Sequence, residues 1–387
     1  MTTSSLTSPP ASTSERTDTP AVCIVGPLPP PSGGMANQCE QLVRLLRQDG
    51  VVVELVRHNP PYRPRWIGRV PGVRAVFRLL PYLYRLWVAA GRADVMHILA
   101  NSGWAWHLFA APAAWIGRAR GVGVIINYRG GNADRFFTRA PRHVLATLAR
   151  ANARVTPSGF LQRVFARHGL DATIVPNIVD LSRFSAVERP PFGNAPHLIV
   201  TRNLEPIYDI PTALRAFAIV RQVFPGARLT VAGSGPELTR LQALVAELRL
   251  EGSVDFCGRV DNAKIPALYA SADCMLNPST VDNMPISILE AFGSGVPVVS
   301  TDAGGIPDIV DNGVSGLLVP VGDAEAMGVA AVRVLREPAL AAGLRDAGLK
   351  AAAAYAWPTV REQWLRVYRS VARPGRGPIT SRMSSNA

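Results

Sequence analysis

The chain alternates short apolar runs with longer amphipathic segments along most of its length. The first series of runs is VCIVG, VVVELV, ADVMHIL, GVIIN and RVTPS, and the second is HLIVTRN, ARLTVAG, VDFCG, DCMLNPS, PVVST and GLLV. Short strands that alternate with helices are typical of parallel sheets with right-handed crossovers. The pattern therefore predicts an α/β protein with two Rossmann-like, doubly wound domains that face each other across a cleft.

The same pattern predicts where each domain begins and ends. We assign residues 21–178 to an N-terminal domain and residues 179–356 to a C-terminal domain. A helix predicted at 357–371 carries many aromatic and aliphatic residues, so we expect it to pack back on the N-terminal domain. Residues 1–20 and 373–387 are rich in small and polar residues and are predicted to be disordered tails.

One stretch has the length and low charge of a membrane span. Residues 98–117 contain no formally charged side chain, and about twenty apolar residues suffice to cross a bilayer. However, Asn101, Ser102, His107 and Pro112 interrupt the stretch, and a strand-like run immediately precedes it. A buried strand, loop and helix is therefore the favoured interpretation.

The charge of the chain is strongly positive. It has 41 basic and 28 acidic side chains, for a formal net charge of +13, and only Lys264 and Lys350 are lysines. This surplus indicates an anionic partner, although an arginine-rich solvated surface is the alternative. The four cysteines lack metal-ligand spacing, and the N-terminus lacks the apolar segment of a secretory signal. We therefore expect a cytoplasmic protein with no metal site.

A basic segment at residues 57–93 concentrates this charge. It contains eight arginines and no acidic residue, and aromatic and aliphatic side chains are interleaved among them. This mixture is typical of segments that lie on anionic lipid, so a peripheral position at the inner face of the plasma membrane is one expectation. The alternative is a solvated helix pair packed on the domain. Nucleic acid is not an expected partner, because no known DNA- or RNA-binding signature accompanies the segment.

The most informative stretch for chemistry is residues 273–308. A predicted strand ends at Pro278, a polar loop with Asp282 follows, and Pro285 suits the first turn of a helix that contains Glu290. The free amides of such a helix N-terminus attract phosphate, and carboxylates facing hydroxyl groups can hold a sugar or ribose. Alternatively, the loop carboxylate caps the helix and the other is a surface group. The stretch predicts a ligand site at the carboxyl edge of the sheet.

These residues resemble the signature of the family 4 retaining glycosyltransferases. The family places two glutamates with seven residues between them, then an alanine, a glycine-proline-valine-valine turn and a glycine pair. Here Asp282 and Glu290 have that spacing, and Gly304-Gly305 is the pair. PPPSGGMANQCEQLVRLL resembles the N-terminal glycine loop and first helix, and VPNIVDLSRF resembles the interdomain linker.

The resemblance implies the GT-B fold and a function. It implies transfer of a sugar, with retention, from a nucleotide diphosphate sugar to a glycan or lipid-linked acceptor in cell-surface polysaccharide synthesis, without a cofactor or metal. Asp282 would contact the transferred sugar and Glu290 the ribose. The implied donor-binding residues are Gly33, Gly34, Arg259, Val260, Pro285, Ile286, Ser287, Ile288, Gly304 and Gly305.

The chain departs from the family at the positions of its usual cations. The family has an arginine and a lysine after the first strand of the C-terminal domain, where this chain has Asn203 and Tyr208. Arg202, one residue earlier, is the expected replacement, because arginine grips phosphate with two parallel hydrogen bonds. Arg129 stands where the family often has a histidine, and His97 is the other candidate active-site histidine. A surface role for Arg202 and a structural role for His97 are the alternatives.

Two other functions are compatible with the sequence. One is a sugar-nucleotide epimerase or phosphorylase on the same fold, although no acid–base pair is clearly placed for epimerisation. The other is a non-catalytic relative that binds a nucleotide or glycolipid, which the missing lysine would allow.

Overall fold

The computed structural model describes residues 19–30, 33–60, 73–186 and 194–373, with side chains described from residue 77 onward in the third range. The strands are β1 (Val22–Gly26), β2 (Val53–Arg57), β3 (Val95–Ala100), β4 (Gly123–Tyr128), β5 (Ala153–Thr156), β6 (Thr173–Ile174), β7 (His197–Val200), β8 (Arg228–Ala232), β9 (Val254–Gly258), β10 (Cys274–Asn277), β11 (Val298–Thr301) and β12 (Leu317–Val319).

Helices fill the connections between these strands. They are α1 (Gly34–Gln48), α2 (Val73–Ala90), α3 (Ala111–Ala119), α4 (Ala133–Arg139), α5 (Arg142–Ala149), α6 (Gly159–Arg167), α7 (Ile210–Val223), α8 (Leu238–Glu247), α9 (Ile265–Ala270), α10 (Ile286–Gly293), α11 (Ala324–Arg336), α12 (Pro338–Ala352) and α13 (Trp357–Val371). A π-helical turn at Trp106–Ala110 leads into α3, and short 3₁₀ turns lie at Pro206–Tyr208, Ile306–Asp308 and Ala353–Tyr355.

The strands form two six-stranded sheets, and every pairing in both is parallel. The order is β2-β1-β3-β4-β5-β6 in the first sheet and β12-β11-β10-β7-β8-β9 in the second. Strands buried on both faces explain the nearly continuous apolar runs of the sequence. The predicted α/β architecture with two doubly wound sheets is therefore confirmed.

Each sheet has one point where the direction of strand addition reverses. In the first sheet the reversal lies between β1 and β3, and in the second between β7 and β10. Loops leave the carboxyl ends of the two strands in opposite directions there, which opens a crevice between them. These two crevices are the places where an open α/β sheet is expected to bind ligands.

Helix α13, at the end of the described chain, packs against the first sheet rather than the second. Its buried side chains, among them Trp364 and Tyr368, share a hydrophobic cluster with Val22, Ile24 and Val95 of the first sheet. Separate clusters cover the other face of the first sheet and both faces of the second. The two assigned domain ranges stay a prediction, and the assigned tails lie almost wholly outside the described residues.

The uncharged stretch 98–117 folds as a buried strand end, a loop, the π-helical turn and most of α3, which confirms the favoured interpretation. In the described parts of the chain, no helix combines the length and the apolar character needed to cross a bilayer.

Of the basic segment 57–93, residues 61–72 lie outside the described part. Helix α2 buries Tyr82 and Leu86 against the first sheet. A second, exposed stripe of the same helix is also apolar and carries Phe77, Leu80 and Tyr84.

Candidate active site

The loop between β10 and α10 lies at the reversal point of the second sheet. Pro285 precedes the first residue of α10, where its missing N–H leaves no hydrogen bond unmade. The Asp282 carboxylate accepts a hydrogen bond from the Met284 amide (3.2 Å), and no side chain caps the helix. The amides of Ile286 and Ser287 thus begin a helix that no side chain caps and whose N-terminus suits an anion, whereas the Ile288 amide donates to the Pro285 carbonyl at 3.2 Å.

Gly304 and Gly305 support this loop directly. A Cβ on Gly304 would lie 2.2 Å from the Asp282 carbonyl oxygen, and a Cβ on Gly305 would lie 2.0 Å from that of Asn283. The Gly305 amide also donates to the Asp282 carbonyl at 2.8 Å. The resemblance implies that these glycines bind the donor, whereas the structure shows them packed against the loop that carries Asp282.

Arg202, just beyond the end of β7, reaches across the reversal point to that loop. Its guanidinium pairs with the Asp282 carboxylate and donates to the Ser279 hydroxyl at 3.1 Å and to the Ser287 hydroxyl at 3.5 Å. Burial lowers the pKa of Arg202, although the side chains of the ion pair keep 11% and 14% of their surface exposed. The surface alternative for Arg202 therefore does not fit the structure.

Tyr208 contributes to the same arrangement. The Arg202 guanidinium carbon lies 4.3 Å from the centre of the Tyr208 ring, within the range of a cation–π contact. Tyr208 stands at the position where the family usually has a lysine, so an aromatic ring that supports an arginine occupies the place of a second cation.

Glu290 projects from α10 toward a fully buried tyrosine. The Tyr269 hydroxyl lies 3.1 Å from Glu290 Oε2, 3.0 Å from the Ser287 carbonyl and 2.7 Å from the Thr201 hydroxyl. Burial raises the pKa of the Glu290 carboxyl to about 7, against the opposing effects of Tyr269 and of the positive charges of Arg183 and Arg202. Glu290 therefore changes its charge near neutral pH.

The N-terminus of α1 faces this region from the first sheet. Gly33 has open space where a side chain would be, and a Cβ on Gly34 would lie 3.7 Å from the Ile286 side chain. The first turns of α1 and α10 therefore approach each other across the cleft.

Arg129 follows β4 on the same side of the cleft. Its guanidinium donates to the Asn177 side chain (2.5 Å), its Nε atom is buried without a partner, and its carbonyl accepts from Asn283 at 3.0 Å. Burial lowers its pKa to about 10, and within the described ranges it has no carboxylate partner. Arg129 is thus an unbalanced positive charge at the cleft.

His97 lies deeper in the first sheet than these groups. It is fully buried on β3, with Nδ1 at 2.9 Å from the Tyr368 hydroxyl and Nε2 at 3.0 Å from the Asn127 amide nitrogen. Its ring packs on Trp364, and burial lowers its pKa to about 3. The structure does not bring His97 to the cleft carboxylates, and its contacts fit the structural alternative, a link between β3 and α13.

The remaining donor-binding candidates follow β9. Arg259 is exposed and Val260 is half-buried, and both lie at the carboxyl edge of the second sheet, where β9 is the outermost strand. No group of three or more potential metal ligands occurs among the residues that the structure describes.

Four site residues were not found from the sequence. Tyr269 contacts the end of Glu290 and Thr201 contacts the Tyr269 hydroxyl, while Asn177 and Asn283 tie the Asp282 loop to Arg129. Asn177 also donates to the Met284 carbonyl at 2.9 Å. A site role for Asn177 and Asn283 could have been suspected, because each asparagine lies beside apolar residues, in VPNIV and in DNMPI.

Comparison with known proteins identifies the family. The model "Glycosyltransferase Family 4" matches residues 32–183, and the model "Glycosyl transferases group 1" matches residues 185–351. The chain belongs to the group 1, family 4 glycosyltransferases. Among solved structures, Anabaena HepE in complex with UDP-glucose matches 91% of this chain and all of its own, with a TM-score of 0.72 and 19% identity. The GT-B fold is confirmed.

Relatives within this family differ in what they make. The phosphatidyl-myo-inositol mannosyltransferase of Mycolicibacterium smegmatis is 26% identical over 89% of this chain and 92% of its own length. The glycogen synthase of Mycobacterium tuberculosis is 28% identical over 54% of this chain. This chain spans about half the length (50%) of that glycogen synthase.

Proposed function

We propose that this protein transfers a sugar, with retention, from a nucleotide diphosphate sugar to a glycan or lipid-linked acceptor in cell-surface polysaccharide synthesis. The observation that carries the proposal is the meeting of Arg202, Asp282, Glu290 and the N-terminus of α10 at the reversal point of the second sheet. A cation and free amides suit a diphosphate, and carboxylates suit sugar hydroxyls. The HepE structure, which contains UDP-glucose, supports a nucleotide-sugar donor.

The arrangement can stabilise a departing diphosphate without a metal. The Arg202 fork and the amides of α10 would face the negative charge that develops as the glycosidic bond breaks. Because Arg202 pairs with Asp282 in this structure, the diphosphate would compete with that carboxylate for the guanidinium. Asp282 would then accept hydrogen bonds from the hydroxyls of the sugar. The acceptor hydroxyl would attack the anomeric carbon from the face that the diphosphate leaves and give its proton to the departing phosphate oxygen, so that configuration is retained without an enzyme nucleophile.

The first sheet would complete the site from the opposite side. Gly33 and Gly34 present the backbone of α1 toward α10, and Arg129 adds a positive charge that no carboxylate balances in the described chain. A buried, unbalanced arginine is costly unless it binds an anion. We therefore assign Arg129 to a phosphate of the donor or of the acceptor.

Donor turnover tests this proposal. Purified protein is incubated with a panel of nucleotide sugars, and release of nucleoside diphosphate is measured for wild type and Glu290→Ala, with the exposed Glu247→Ala as matched control. Release by wild type and Glu247→Ala that disappears in Glu290→Ala supports the transferase. Tight binding without turnover would instead favour a non-catalytic relative, and isomerised nucleotide sugar would favour an epimerase.

A lipid-linked acceptor would require contact with a membrane surface. The exposed stripe of α2 supports this, because Phe77, Leu80, Tyr84 and Trp87 are 57%, 62%, 71% and 48% exposed and arginines lie among them. The relative that acts on phosphatidyl-myo-inositol also supports a lipid-linked acceptor. We propose a cytoplasmic protein that binds the inner face of the plasma membrane peripherally.

Sedimentation with vesicles tests the membrane contact. Wild type should co-sediment with phosphatidylglycerol vesicles at low salt and dissociate as salt screens the arginines. Tyr84→Ala with Trp87→Ala should weaken this binding, whereas Trp115→Ala, on the neighbouring helix α3, should not. Equal binding to neutral vesicles, or no effect of the double variant, would contradict the contact.

A further inference from the structure

Trp104 is the most exposed large apolar side chain in the described part of the chain, with 78% of its surface accessible. A tryptophan ring exposed to water contributes none of the stabilising free energy that its burial would give. A polar residue would therefore be expected at this position unless the ring binds a partner. A single exposed apolar residue is common on protein surfaces, and its position in the fold therefore decides its interpretation.

That position is the reversal point of the first sheet. Trp104 begins the helical turn in the connection after β3 (the Trp104 loop), between the glycine loop that follows β1 and the Arg129 loop that follows β4. The Trp104 loop and the Arg129 loop are in contact, because a Cβ on Gly130 would lie 2.6 Å from the Ser102 hydroxyl and 2.7 Å from Asn101 Oδ1. Crevices of this kind are where α/β sheets bind ligands.

The same loop faces the second sheet. A Cβ on Gly131, which adjoins Gly130, would lie 3.8 Å from the Val281 side chain, next to Asp282. The Trp104 loop is therefore connected, through one neighbouring loop, to the loop that carries Asp282. These contacts place the Trp104 loop at the edge of the first sheet that faces the second sheet.

Polar and aromatic groups flank the exposed ring. The His107 ring packs edge-on against Trp104, with ring centres 6.2 Å apart, and also contacts Phe136. His107 Nδ1 and His143 Nε2 lie 3.5 Å apart, and both residues are at least partly exposed. The segment Trp106–Ala110 is π-helical, an arrangement that often marks functional sites because it displaces side chains from regular helical positions.

We propose that Trp104 forms a stacking platform for a pyranose ring of the acceptor, with His107 and His143 as hydrogen-bonding groups beside it. The C–H bonds on the apolar face of a pyranose carry partial positive charge and are attracted to the negative face of an aromatic ring. The inference rests on the proposed function and names the acceptor class: a glycan or glycolipid whose accepting residue is a ring sugar, not an acyclic hydroxyl compound.

Saturation-transfer NMR on the full chain tests the platform directly. The probes are UDP and methyl glucoside, mannoside and galactoside, and glycerol is the acyclic control. Wild type should transfer magnetisation to ring protons on the apolar face of at least one pyranoside. In Trp104→Ala this signal should fall by about fivefold relative to the UDP signal, the scale of losing one aromatic contact. Trp104→Phe should retain most of the signal, and Trp115→Ala, the matched exposed tryptophan, all of it.

Several outcomes would overturn the proposal. They are the absence of a ring-proton signal from every pyranoside with wild type, equal pyranoside signals in wild type and Trp104→Ala, and a glycerol signal that depends on Trp104 equally. Loss of binding to phosphatidylglycerol vesicles in Trp104→Ala, with unchanged pyranoside signals, would assign the ring to the membrane contact. A UDP signal that persists in these cases leaves the proposed function standing, whereas binding and turnover of no nucleotide sugar by wild type removes both.

Discussion

The reversal points of the two sheets have the same topology but differ in how their polar groups are satisfied. In the second sheet, Arg202 pairs with Asp282 and Glu290 meets Tyr269, so that most charged groups have a protein partner before any ligand binds. In the first sheet, Trp104 is exposed and Arg129 has no carboxylate partner among the described residues. The charged groups of the second site are paired within the protein, and a diphosphate would have to displace Asp282 from Arg202, whereas the first site is open.

This difference matches the two tasks of a transferase. A nucleotide diphosphate has a fixed pattern of charge, so a rigid set of partners can be arranged for it in advance. Acceptors vary between relatives, and the M. smegmatis mannosyltransferase and the glycogen synthase illustrate how far their names differ. An open site with an aromatic ring and few fixed charges is suited to such variation.

Loss of the Arg202 charge should have the largest effect. Arg202→Ala should lower kcat for donor turnover by about a hundredfold or more, the scale of losing one preorganised electrostatic donor. Arg202→Lys keeps the positive charge but not the two parallel hydrogen bonds of the guanidinium, so its kcat should lie between those of Arg202→Ala and wild type. Steady-state kinetics with the donor identified by the panel measures both. An Arg202→Ala variant with the kcat of wild type would show that Arg202 is not the cation that stabilises the leaving diphosphate.

The charge of Glu290 should make donor binding depend on pH. Because burial raises its pKa to about 7, the carboxylate form that accepts hydrogen bonds from hydroxyls is lost as pH falls through that value. The KM for donor should therefore rise below about pH 7, by at most about tenfold per pH unit. Glu290→Gln should flatten this profile. An unchanged profile in Glu290→Gln would assign the titration to another group.

Removal of the Tyr269 hydroxyl should have a smaller effect. Tyr269→Phe loses the contacts to Glu290 and to the Ser287 carbonyl, and one such hydrogen bond is worth about 1 kcal/mol, or about fivefold in donor KM. The change should appear in KM more than in kcat, because Tyr269 positions the carboxylate and does not face the leaving group. Thr201→Val removes only the contact between the Thr201 and Tyr269 hydroxyls, so it should change the donor KM less than Tyr269→Phe does.

Substitution of His97 should have the smallest effect on donor turnover. Replacing it with leucine removes contacts to Tyr368 and Asn127, which should lower the free energy of unfolding by about 1–3 kcal/mol. Donor turnover per folded molecule should stay within about twofold of wild type, since the ring lies away from the cleft. Thermal unfolding and kcat measured on the same sample distinguish the roles. A stable but inactive variant would restore His97 to the active site.

The fold and the second site were largely predictable from sequence. Strand and helix periods indicated two doubly wound sheets, and the spacing of Asp282 and Glu290 indicated a shared loop and helix. The contact between Arg202 and Tyr208 was not predictable, because the stacking depends on how the chain turns between β7 and α7. Tyr269 was also missed, since a single tyrosine before a strand resembles an ordinary core residue.

The first site was less predictable for a physical reason. The proposed role of Trp104 depends on its exposure and on the loops that lie beside it. Neither property can be inferred from the pattern of residues along the sequence. The hydrophobic context ILANSGWAWHLFA even suggests that both of its tryptophans are buried, whereas only Trp106 is. His97 was predicted as a candidate for catalysis because a histidine at a strand end is ambiguous until its partners are known.

Acceptor-stimulated turnover tests most directly whether the two reversal points form one active site. Release of nucleoside diphosphate is measured with the preferred donor, with and without methyl pyranosides, for wild type, Glu290→Ala and Trp104→Ala. We predict that a pyranoside stimulates release by wild type, that Glu290→Ala releases nothing in either condition, and that Trp104→Ala loses most of the stimulation. Equal release by all three proteins, with no response to any pyranoside, would contradict the account.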